Sequence, residues 1–276
     1  MVTNNGKLAL NQSKKMRLMQ HILEQNLRVF RRQDLEQHMA DDLTLSYQAL
    51  SNLLHQLCKA KWLQQLRRGL YQVENINTPI HEYEIAMALV QPAMISHRSA
   101  FSFHELTDQV IRNTVTVTTT NSVFIPQEGH KDKKTAILVN GIEYIYVCIN
   151  KDKFFGEETE WIRDGKFKVT DLERTLLDGL SQPQYCGGMQ EVIYAYRESV
   201  ERVDLDKIIN YAMRLNIATA RRLGWVLDHI FNIDIAKIIC LAQEDKPGYR
   251  LLDPSRPSSG SYDPKWRIQV NHHGNM

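Results

Sequence analysis

Cysteine is scarce in this chain, and its four copies, Cys58, Cys148, Cys186 and Cys240, are widely scattered. None forms a Cys-x-x-Cys pair or has histidines at zinc-ligand spacing on both sides, which excludes a readable zinc motif and a disulfide framework. Cys58, Cys148 and Cys240 fall in apolar patterns and read as buried small hydrophobes, whereas Cys186, before Gly187-Gly188, reads as a loop thiol. Long apolar runs are also missing, and no stretch approaches the roughly 20 residues of a membrane span. The opening Met-Val-Thr-Asn-Asn-Gly-Lys lacks the apolar centre of a signal peptide. A reduced, cytoplasmic setting without membrane association is the expectation. The glycine patterns of phosphate loops, nucleophile elbows and dinucleotide sites are absent as well, so no cofactor is expected.

Charge of one sign is lacking only on the whole-chain scale. The 34 Lys/Arg and 32 Asp/Glu nearly balance. Residues 1–75, however, hold 11 Lys/Arg against 6 Asp/Glu, while the remainder holds 23 against 26. Basic charge concentrated in one segment is what displacement of counterions from phosphate requires.

That segment has its own pattern. Met16, Met19, Ile22 and Leu23 recur at three- and four-residue spacing and predict a helix over Lys14–Asn26. A short helix is predicted over Arg31–Met39 and a third from Tyr47 to about Ala60, with Ser46 as N-cap and Leu50, Leu53, Leu54 and Leu57 as its apolar stripe. Trp62 to Val73 reads as two short strands around Arg67-Arg68-Gly69. Three helices followed by a β-wing predict a winged helix-turn-helix, which lays its third helix in the major groove of double-stranded DNA. The predicted contacts are Tyr47, Gln48, Ser51, Asn52 and His55 on the polar face of that helix, with Lys14, Lys15, Arg31, Arg32, Arg67 and Arg68 as cations. Gln and Asn suit the adenine edge, and arginine forks suit phosphate. A polar helix face alone is merely the wet side. Charge and topology together point to DNA.

Asn75–Pro79 is a polar break ending in proline, and it divides the chain into a DNA-binding domain at 1–76 and a second domain at 80–276. The second reads as mixed α/β with a helical C-terminal half, making the whole α+β. Helices are predicted over His81–Val90 and from a Ser96 cap to Leu106. Strands are predicted at Val115–Thr119 and Val123–Ile125, and as a hairpin about Asn140-Gly141, past a charged turn at Lys131–Lys134. Trp161-Ile162 and Phe167–Val169 add strands. Thr170-Asp-Leu-Glu173 reads as a capping box opening helices near 171–180, 187–200, 204–215, 218–230 and 234–242. Trp266–Val270 reads as a last strand tied onto the sheet, and His272-His273 as tail.

The ordered set of Arg67-Arg68-Gly69-Leu70-Tyr71, Ile95 to Ala100, His104 to Asp108, Val169 to Asp178, Gly187-Gly188, Arg222-Leu223-Gly224 and Trp266-Arg267-Ile268 resembles the AbiE-type antitoxin repressors over nearly the whole length. The resemblance implies the antitoxin of a toxin–antitoxin system in phage defence by abortive infection. Its N-terminal domain would repress its own operon. Its C-terminal domain would counteract a nucleotidyltransferase-like toxin without a required stable complex. The third helix departs from many repressors in carrying uncharged residues where they place an arginine.

Catalytic chemistry has little to stand on. Arg174 and Asp178 are spaced as an ordinary helical ion pair. His97 and His104 lie two turns apart, yet no carboxylate or cysteine completes a ligand set at recognisable spacing. Asp132-Lys133-Lys134 and Asp152-Lys153 read as charged turns. No catalytic or metal-binding residue is expected. Two alternatives remain beside the antitoxin: an enzyme carried to nucleic acid by its N-terminal domain, and a repressor whose second domain senses a ligand or protein.

Overall fold

In the computed structural model, which describes residues 4–38, 45–74, 76–110, 112–121, 136–233, 235 and 248–272, the chain opens on α1 (Asn4–Glu24). β1 (Val29–Arg31), α2 (Arg32–His38) and α3 (Tyr47–Lys59) follow. β2 (Leu63–Arg67) and β3 (Leu70–Val73) close this segment as an antiparallel hairpin, and β1 joins β3 to give the order β1-β3-β2. The Ser46 hydroxyl accepts the Ala49 N–H, so α3 begins where its cap residue predicts. Leu50, Leu53, Leu54 and Leu57 bury against Leu18 and Ile22 of α1, Phe30, Leu35 and Tyr71.

The stripe on α1 matches the expected one in part, with Ile22 buried and Met19 packed against the core. Met16 and Leu23 are exposed at 60% and 53%, while Leu18 and Ile22 are fully buried. A single helical turn allows either face inward, and docking on α3 selects the Leu18/Ile22 face. Arg31 ends β1 instead of opening α2, because three residues paired with β3 are set by tertiary contact.

The next part is a six-stranded mixed sheet of order β6-β7-β5-β4-β9-β8. It comprises β4 (Ala93–Ile95), β5 (Thr114–Thr119), β6 (Ala136–Val139), β7 (Ile142–Cys148), β8 (Glu157–Ile162) and β9 (Gly165–Thr170). The Asn140-Gly141 turn forms as its residue types require, both at positive φ. α4 (Glu82–Leu89) and α5 (His97–Phe103) accompany the sheet. The sheet buries Ile95, Val117, Tyr144, Phe167 and Val169 with Ile85 and Ala86 of α4.

A second core lies among α6 (Leu172–Ser181), α7 (Met189–Ser199), α8 (Leu205–Leu215), α9 (Ile217–Phe231) and a small sheet of β10 (Arg250–Leu251), β11 (Ser261–Asp263) and β12 (Ile268–Val270). The last strand therefore closes a separate sheet of order β10-β12-β11, not the large one. Trp266 is almost wholly buried, and a Cβ on Gly224 would sit 1.8 Å from its ring. Two of the stretches behind the family resemblance thus pack on each other.

Asp171, not Thr170, caps α6: its side chain accepts the Arg174 N–H, while the Thr170 hydroxyl bonds Thr175. Cys148 is exposed and Cys186 buried, reversing the expected order, since Cys148 faces out at a strand end and the loop of Cys186 folds over the helical core. His272 is buried at 4% exposure and is no tail residue. Val123–Ile125, Lys131–Lys134 with Asp132, Cys240, most of the expected 234–242 helix, His273, Met39 and Asn75 lie outside the described residues. None of the helices in the described part is long and apolar enough to cross a membrane.

Candidate nucleic-acid interface

Arginine and the first turn of α3 meet in one place. A groove of about 510 Å³ is lined by Arg31, Arg32, Tyr47, Ser51, Gln65, Arg67 and Arg68, with Ala88 and Leu89 of α4 as its far wall. Gly69 takes φ +77° at the β2–β3 turn, a conformation that costs glycine little. Its carbonyl accepts the Arg32 N–H at 2.9 Å, which ties the turn to the start of α2. Both Arg67 and Arg68 are exposed there.

Arg32 is held over α3. Its guanidinium carbon lies 3.6 Å from the centroid of the Tyr47 ring, its Nη1 donates to the Ser51 hydroxyl at 3.4 Å, and its Nε stands 3.2 Å from Glu36. The stack on Tyr47 is the favoured seat for a planar cation. Arg31 is committed differently. Its Nε donates to the Ala88 carbonyl at 2.8 Å, which satisfies an end-of-helix acceptor of α4.

Gln48, Asn52 and His55 lie on the exposed face of α3 beyond the groove, and Gln48 Nε2 donates to Asn52 Oδ1 at 3.3 Å. Tyr47 is 60% exposed. Lys14, exposed, and Lys15, half-buried, sit on α1 and do not line the groove. Sequence reasoning passed over Gln65 as a lining residue and Arg28 as an anchor. The contacts of Arg28 lie across more than fifty residues of chain, and no local signal carries them.

The polar residues weighed for chemistry elsewhere are engaged within the fold. Arg174 donates to Asp178 Oδ1 at 2.8 Å and to the carbonyls of Lys153 and Phe155. His97 Nδ1 meets the Ser96 hydroxyl at 2.9 Å and its Nε2 meets Gln182 at 3.3 Å, while His104 Nε2 meets the Thr170 carbonyl at 2.7 Å. The two histidines serve separate partners. Burial holds both imidazoles below the usual histidine range. Among the described residues no group of three or more His, Cys, Asp or Glu is arranged to hold a metal ion.

No family model matches the sequence, and no curated protein matches it. Its fold is similar to the crystal structure of the RV2827C protein from Mycobacterium tuberculosis. The two superpose with a TM-score of 0.56 over 93% of this chain and 90% of that chain, at 12% sequence identity. At that identity the likeness concerns fold alone.

Proposed function

We propose that residues 1–76 are a winged-helix DNA-binding domain and that the protein is a transcriptional repressor of its own operon. The observation that carries this reading is the groove in which four arginines converge beside the first turn of α3. Phosphate enters such a groove on guanidinium forks, and the exposed Gln48 and Asn52 then face the edges of bases, adenine best of all. The excess of basic residues in the same segment supplies the long-range attraction.

The AbiE-type resemblance extends the proposal to an antitoxin that counteracts a nucleotidyltransferase-like toxin through the remainder of the chain. The experiment co-expresses the full chain with the nucleotidyltransferase-like product of an adjacent reading frame and assays a mobility shift on the upstream duplex. Rescue of growth together with a shift is expected. A variant carrying Arg67→Ala and Arg68→Ala should keep rescue and weaken the shift. Absence of any shift by the wild-type chain would overturn the repressor reading, and absence of rescue the antitoxin reading.

A further inference from the structure

We infer that Glu84 is a positioning residue for DNA binding: through Arg28 it clamps β1 against α4 and so presents the arginine groove in one fixed orientation. This rests on the DNA-binding reading and names what orients that site.

β1 is only three residues long, and the arginines at its two ends both reach the same helix. Arg28, immediately before the strand, donates from Nε to Glu84 Oε2 at 2.8 Å and from Nη2 to the carbonyls of Thr78 and Pro79 at 3.2 and 3.3 Å. Arg31, its last residue, donates to Ala88 O. Glu84 and Ala88 are four apart on α4 and therefore share a face. The strand is thus pinned at both ends along one side of one helix.

Besides Arg28, Glu84 meets two further neighbours, and Arg28 one more. Its Oε1 accepts the His81 N–H at 2.9 Å, completing the capping box of α4. The β8–β9 turn presses on it: a Cβ on Gly165 would lie 2.1 Å from Glu84 Cδ. Asp164 of the same turn stands 3.7 Å from Arg28. With Arg28 and Glu84 only 11% and 8% exposed, the pair is shielded from water, where loss of one partner is felt strongly.

The clamp reaches the groove through the sheet. Arg31 pairs with Leu70 and Val29 with Gln72, so the anchored strand is the neighbour of β3, which carries one side of the arginine turn. Arg31 also lines the groove with Ala88 and Leu89. A groove assembled before DNA arrives avoids the ordering cost that a loose one incurs on binding.

The test uses the full chain and Glu84→Gln, which keeps an acceptor for the His81 N–H but removes the charge facing Arg28. Circular dichroism and melting confirm the fold, and Asp164→Asn, at a residue exposed at 62%, is a milder second variant. Affinity for a labelled upstream duplex is measured across a salt series, together with the rate of proteolytic cleavage in the 74–80 stretch. Glu84→Gln should weaken binding about tenfold, leave the salt slope unchanged because every arginine that grips phosphate is still in place, and speed cleavage. Asp164→Asn should move in the same direction by less. Unchanged affinity in Glu84→Gln beside a wild type that binds overturns the clamp, as does a changed salt slope. Failure of the wild type to bind overturns the DNA reading instead, and cleavage then still reports whether the pair holds the segment.

Discussion

Residues 45–74 and the chain beyond residue 80 use the polar side chains of interest in opposite ways. From 45 to 74 the polar groups of interest look outward: Gln48, Asn52, His55, Arg67 and Arg68 are exposed over a leucine-rich apolar interior. From 80 to 272 the notable polar groups look inward. Arg174, Asp178, His97, Glu173 and Arg222 are all at most 7% exposed. Arg222 donates to the carbonyls of Leu251 and Leu180 and is drawn down to about 10 by burial. Buried polar groups require partners, and apart from Asp178 Oδ2, which accepts no hydrogen bond, these find them within the fold. The comparison teaches where to look for recognition: α3 and the β2–β3 turn bring exposed polar side chains together around one groove, whereas the groups weighed for chemistry beyond residue 80 are engaged within the fold.

The sharpest way to break this contrast is to remove one arginine from each side. Arg174→Ala strands the Asp178 carboxylate and two carbonyls in the interior, and should cost about 3–5 kcal/mol of stability in denaturant unfolding. Arg68→Ala should stay within about 0.5 kcal/mol. Comparable losses from the two would erase the distinction.

A smaller effect is expected on the recognition face. Gln48→Ala or Asn52→Ala should each cost about 1–3 kcal/mol, the worth of one bidentate pair with a base, and alter the preferred base at one or two operator positions. Selection from random duplexes measures this directly. An unchanged preference would move base readout to Tyr47 or Ser51.

The least of the effects concerns pH. Burial lowers the pKa of His81, His97 and His104 in the fold. Below the unfolded value of about 6.5 the unfolded chain takes up protons that the fold refuses, so stability is full above that pH. It falls as pH drops through the window beneath, down to the folded values. The melting temperature should therefore decline as pH falls below about 6.5. His97→Gln should flatten part of that decline, and an unaltered profile would show that His97 is not one of the groups responsible.

Local chemistry explains what the sequence disclosed. The Ser46 cap, the four-leucine stripe of α3 and the Asn140-Gly141 turn all follow from residues a few positions apart. What it concealed is long-range. β1 and β4 are three-residue strands that exist through their partners. The inward face of α1 was decided by α3, and Cys186 is buried by its place in the helical core. The groove was half visible: its arginines stood out as charge, but the division of Arg31 toward α4, and the Arg28–Glu84 pair behind it, join residues that no periodicity links.

The central claim is that the arginines of the β2–β3 turn grip DNA phosphate, and the salt dependence of binding tests it most directly. Affinity of the full chain for duplex DNA, plotted logarithmically against salt, should fall steeply for the wild type. The double variant Arg67→Ala/Arg68→Ala should bind more weakly with a slope shallower by about two units, one for each arginine–phosphate pair removed. A slope unchanged in the double variant, or a wild-type chain with no measurable affinity for duplex at low salt, would contradict the account.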